Sequence, residues 1–191
     1  MKKKFLALAL SLTMVLGLAA CGGGSDNASS DGSSAASGDS GSSTVVVAMG
    51  SGFSTLDPGY VYEKYPPMIV NACYETLFKF YSNDGAPEPC LADTYEFSED
   101  GLTLTVTLKD GITFASGNPM TSADVAFSIN RCKNLQGNPA FIADTIDSIE
   151  TPDEKTIVFH LNQQDSAILS KLTYSSLSVL DSAVVKENGG T

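Results

Sequence analysis

The chain has 191 residues, with 22 acidic and 11 basic side chains, one histidine and a formal net charge of −11. So acidic a surface lacks the basic patches that neutralise phosphates, which excludes nucleic acid as a partner, and it keeps a folded body off an anionic membrane surface. A single histidine leaves little scope for imidazole-based metal capture.

Lys2, Lys3 and Lys4 precede an uncharged run from Phe5 to Ala20, the n-region and h-region layout of an export signal. That run is shorter than the roughly 20 residues a permanent membrane helix needs, so removal is expected rather than retention. Leu18-Ala19-Ala20-Cys21, followed by three glycines, resembles the bacterial lipobox. The resemblance implies cleavage before Cys21 and lipidation of its sulfur, and two acyl chains hold a protein on a membrane where one binds only marginally. Residues 1–20 are thus read as a signal peptide. Residues 21–43 are read as the lipidated cysteine and a Gly/Ser linker with nothing to bury, spanning roughly 25 Å as a flexible coil.

Residues 44–191 amount to one ordinary domain. With the three N-terminal lysines gone, eight basic residues face all 22 acidic ones. Three cysteines remain beyond Cys21, an odd number that implies a free thiol or a partner elsewhere. None has metal-site spacing, and Cys73 and Cys132 fall on apolar helical faces, where buried small hydrophobes are expected.

In chain order, Thr44–Met49 is a β-branched run that reads as a buried strand, and Gly50-Ser51-Gly52-Phe53 opens the loop after it. The Gly-x-Gly does not make a dinucleotide site, because Leu56-Asp57-Pro58-Gly59 stands where the phosphate-binding helix should begin. Pro66-Pro67 opens a helix with Ile69, Ala72, Cys73, Thr76 and Leu77 on one face. Phe78–Tyr81 reads as a strand ending at Asn83-Asp84-Gly85. Tyr95–Phe97, the turn Ser98–Gly101 and the alternating Leu102–Leu108 form a hairpin, its leucines and Val106 inward and its threonines outward.

Lys109-Asp110-Gly111 turns the chain into Ile112-Thr113-Phe114. Thr121 caps a second helix with Asp124 in place of the usual glutamate, an imperfect capping box, and Val125, Ile129 and Cys132 form its buried stripe. Ile146–Glu150 and Thr156–Leu161 are strands, while Ile168–Leu172 and Ser178–Val185 could each be helix or strand. The sum is an α+β body with antiparallel hairpins.

Catalysis finds no footing. His160 lies in an apolar strand, where a structural role is expected; there is no Gly-x-Ser-x-Gly elbow, and no cysteine has an imidazole neighbour in sequence. Glu99 and Asp100 sit in a turn as solvated surface. The chain is read as a non-enzyme that calls for no cofactor.

Several segments, taken in order, resemble the N-terminal part of the extracytoplasmic solute-binding proteins of family 5, the oligopeptide, dipeptide and nickel class of ABC importers. They are Ser54-Thr55-Leu56-Asp57-Pro58, Tyr74-Glu75-Thr76-Leu77, Pro89–Glu96, Asp100–Thr103, Leu108–Phe114 and Gly117–Ser128. Tyr95 stands where tryptophan is common, and Ala115-Ser116 replace a frequent His-Asp.

The resemblance implies a type II periplasmic-binding-protein-like fold, α/β overall and two-lobed, of which this chain holds the N-terminal part of the first lobe. It assigns residues 44–65 to the main lobe and 66–191 to a small subdomain, and it implies a longer reading frame. The partners it implies are a peptide solute, an ABC permease, and the membrane through the lipid anchor. Nickel or haem cargo, and a peptide-sensing or adhesive surface lipoprotein, are the alternatives. Peptide capture relies on backbone hydrogen bonds with water-filled side-chain pockets. The Gly50–Phe53 loop is therefore the candidate contact, since glycine permits close backbone approach; a plain strand-ending loop fits the same residues equally. By the same resemblance, groups fixing the peptide termini belong to the second lobe.

Overall fold

The computed structural model describes residues 46–48, 50 and 52–190. The chain divides at Val46/Val47, and every element below belongs to the unit from Val47 onward. Its helices are α1 (Pro66–Cys73), α2 (Ser122–Asn134), α3 (Ile168–Lys171) and α4 (Ser182–Glu187). Its strands are β1 (Phe78–Lys79), β2 (Glu88–Pro89), β3 (Ala92–Phe97), β4 (Thr103–Leu108), β5 (Ile146–Glu150) and β6 (Thr156–Leu161). β1 and β2 make a small ribbon, and the other four form an antiparallel sheet in the order β3-β4-β6-β5.

Alternation in β4 and β6 builds the core. Leu104, Val106 and Leu108 are buried while the intervening threonines are half-exposed, and Ile157, Phe159 and Leu161 repeat the pattern. The register pairs Leu104 with Phe159 and Val106 with Ile157, so one apolar face runs across the two central strands. It joins a cluster with Val125, Ile129 and Cys132 of α2 and with Ile168, Leu172 and Leu177.

Local chemistry sets the turns. Between β3 and β4, the Asp100 carboxylate accepts from the Ser98 hydroxyl and the Leu102 amide, and Gly101 adopts φ +66°, a left-handed conformation natural to glycine. Between β5 and β6, Asp153 accepts from the amides of Lys155 and Thr156.

The helix at Thr121 carries a complete capping box although its acid is aspartate. Asp124 Oδ2 accepts from both the amide and the hydroxyl of Thr121. Its Oδ1 accepts from the Ser182 amide at 3.1 Å, tying α2 to the start of α4. The box expected to be imperfect is therefore whole, and the shorter acid makes it a junction between two helices.

Three further expectations are corrected. Of the run Thr44–Met49, Thr44, Val45 and Met49 lie outside the described residues; Val46 and Val47 are 87% and 59% exposed and lie in no strand. A β-branched run becomes a strand only when neighbouring backbone pairs with it, and none of the described strands does. Helix α1 stops at Cys73, where Tyr74 turns extended; its buried residues are Pro66 and Val70, Cys73 is exposed, and Thr76 and Leu77 are buried from the extended segment that follows. The strand read over Phe78–Tyr81 shrinks to two residues, with Phe80 and Tyr81 exposed.

The two ambiguous segments take definite forms. Ile168–Lys171 is helical, whereas Ser178–Leu180 runs extended and buried before Asp181 caps α4. The Val179 amide donates to Glu75 O and the Leu180 amide to Ser128 Oγ, so this stretch is held between the tail of α1 and the middle of α2.

Candidate functional site

Of the residues singled out from the sequence, Cys21 and Ser51 lie outside the described residues. Gly50, Gly52 and Phe53 are exposed at the surface. A side chain on Gly50 would meet the Tyr65 hydroxyl at 3.1 Å, whereas at Gly52 nothing lies within 4 Å. Close packing thus accounts for a glycine at the first position only, and Gly52 faces open space. Ser54 donates to Glu63, and the Asp57 amide donates to Thr55 Oγ1.

The segment ends on a group that pattern reading passed over. Asp57 caps the 3₁₀ turn Pro58–Tyr60 by accepting from the Gly59 amide. It also takes two parallel hydrogen bonds from Arg131 of α2, at 2.8 and 2.7 Å, the bidentate fork that fits guanidinium to carboxylate. These bonds hold the Asp57 carboxyl below the usual carboxylate range against the opposing effect of burial, and the carboxylate in turn raises Arg131. Gly59 makes the approach feasible: a β-carbon there would fall 2.7 Å from Leu135 and 3.0 Å from the Arg131 guanidinium. The available signal was that Arg131 is the sole arginine of the chain.

Two concavities flank this region. One, of about 310 Å³, has walls from Ile112, Phe114, Met120, Val179, Leu180 and Val184. At its rim Asp181 accepts from Ser116 and Asn118, so the serine that departs from the family pattern ties its loop to α4. The other, of about 430 Å³, lies between Leu56–Pro58, Tyr74, Arg131 and the end of α4. These walls can enclose apolar groups; no histidine lines either one.

Among the described residues acid–base and metal chemistry find no constellation. His160 Nε2 lies 3.3 Å from Glu150 Oε1 at a half-exposed position on the sheet. Among the described residues no group of three His, Cys, Asp or Glu side chains could hold a metal ion. Cys132 is fully buried, and desolvation pushes its thiol up to about 11, so it behaves as a core hydrophobe. Exposed Cys73 does not. Among the described residues no helix is long and apolar enough to cross a membrane.

Residues 86–190, more than half of the chain, match the bacterial extracellular solute-binding proteins, family 5 (middle part). The chain belongs to that family. Among family 5 relatives, the glutathione-binding protein GsiB of Salmonella typhimurium is 29% identical over 147 residues, covering 76% of this chain and 28% of that protein. The probable D,D-dipeptide-binding periplasmic protein DdpA of Escherichia coli K12 is 30% identical over 149 residues, 75% and 29% of the two chains. The chain therefore spans less than a third of the length of these family 5 relatives.

Solved structures agree on the type II periplasmic-binding fold. AgaA of A. tumefaciens R10, in complex with agropinic acid, superposes with a TM-score of 0.66 at 30% identity, over 71% of this chain and 28% of that one. Listeria monocytogenes OppA bound to peptide gives 0.66 at 21% identity, over 70% and 30%. DppA of Helicobacter pylori in complex with the peptide STSA gives 0.61 at 26% identity, over 71% and 31%.

Proposed function

We propose that the whole protein is the substrate-binding component of an ABC importer, capturing oligopeptides or dipeptides outside the membrane and delivering them to the permease. Membership of family 5 carries this reading, and the peptide-bound relatives support the choice of cargo. Residues 44–65 then belong to the main lobe, residues 66–191 to the small subdomain, and the Gly50–Phe53 loop offers backbone to the solute. A solute bridging two lobes shifts the hinge equilibrium toward a closed form that the permease accepts.

Agropinic acid in AgaA supports a second reading of the cargo, since that protein is 30% identical to this chain, against 21% and 26% for the peptide binders. Calorimetric titration of the whole protein with a mixed peptide pool separates the two. Saturable heat with peptides is expected; binding of opines, sugars or metal ions with no peptide response would overturn the assignment. The Leu18–Cys21 sequence supports a lipid anchor on the extracytoplasmic face of the membrane. Cells fed labelled palmitate should mark the wild-type protein and leave Cys21→Ser unmarked; equal labelling would remove the anchor.

A further inference from the structure

We propose that Asp57 and Arg131 form a positioning clasp that fixes the loop at Gly52-Phe53 on the helix-and-sheet body. Beyond the approach of Gly50 to Tyr65, the described loop residues Gly52, Phe53 and Ser54 are exposed, and the Ser54–Glu63 bond lies in solvent, where single polar contacts contribute little. Asp57, by contrast, sits just beyond the loop and joins the segment to a helix 74 residues away through two charge-assisted bonds. The Arg131 side chain is 9% exposed, so its partner cannot be exchanged for water without stranding a charge. Buried Pro58 and Gly59 continue the grip, and the missing β-carbon at Gly59 lets the guanidinium close on the turn.

The pair is of the positioning kind, since neither side chain has to touch solute. Leu56, between the loop and the clasp, is 38% exposed, so Thr55 to Asp57 acts as a short lever. Releasing its buried end frees the loop while leaving the sheet intact. Loop segments with few buried contacts open with far lower free energy than core strands, so the two regions respond separately.

The chain has no tryptophan, so Phe53→Trp supplies a sole reporter on the loop and, in a parallel protein, Phe97→Trp a reporter on β3. With Asp57→Asn or Arg131→Gln added, emission from the loop reporter should shift to the red and its quenching by acrylamide rise toward the denatured value. The β3 reporter and the far-ultraviolet dichroism should stay unchanged. Arg131→Lys retains the charge and loses the fork, and it should fall between; it supplies the comparison should either stronger variant fail to fold. An unmoved loop reporter overturns the proposal, as does equal movement of both reporters, which would mean general loosening. The clasp rests on the proposed function only for what the loop does. A whole protein indifferent to peptides whose loop reporter still responds removes the ligand and keeps the clasp, and the opposite pattern removes the clasp alone.

Discussion

Asp57 accepts from Arg131 on both carboxylate oxygens and from the Gly59 amide. A hydrogen bond to a charged group contributes about 1.5–3 kcal/mol, and the lower end applies here because the Asp57 side chain keeps 31% of its surface in solvent. Asp57→Asn should therefore lower stability by about 1.5 kcal/mol in denaturant melts, whereas a change below about 0.5 kcal/mol would mean the pair is solvated. The same pair sets a pH dependence. The Asp57 carboxyl is held lower in the folded chain than in the unfolded one, where it titrates near about 3.9. Its contribution is fully present above that pH and disappears as pH falls through the folded value.

Asp165 acts in the same direction: burial opposes its ionisation, yet hydrogen bonds from Lys171 and Thr145 keep it low. Urea midpoints of the wild type should thus drop on acidification below about pH 4, and Asp57→Asn should flatten part of that slope. Unchanged slopes would contradict the assignment of Asp57.

At the level of elements, the central hairpins carry the stability. Leu104 is fully buried against Phe159 across the sheet, so Leu104→Ala should cost about 2–5 kcal/mol. Asp147, exposed on the edge strand β5, should tolerate alanine within about 0.5 kcal/mol. Equal effects in a thermal or urea melt would place the core elsewhere.

Strands β4, β5 and β6 and helix α2 were legible because their signals are local: strict alternation, a capping residue, and an aspartate turn at each hairpin. Val46 to Ala48 were not, since strand formation depends on partners that periodicity does not reveal. Helical spacing from Ile69 to Leu77 buries Cys73 only where the helix runs on, and it stops where Tyr74 turns extended. The Asp57–Arg131 fork joins residues 74 apart, a separation at which no pattern speaks. For Gly50, Gly52 and Phe53, exposure agrees with access to a solute and with a plain loop alike.

At the scale of the whole molecule, the described unit carries a four-stranded sheet and a two-stranded ribbon, with two apolar concavities and no metal-binding cluster among the described residues. In the proposed import role, peptides of varied sequence are held through their backbone, and closing a cleft around them takes surfaces on both sides of the solute.

On the proposed function, these residues give one side of that cleft. Fluorescence anisotropy of a labelled tripeptide, measured against the Thr44–Thr191 polypeptide and the whole protein side by side, tests this most directly. Saturable binding to the whole protein with none to Thr44–Thr191 is the expected result; tight binding by Thr44–Thr191 alone would contradict it.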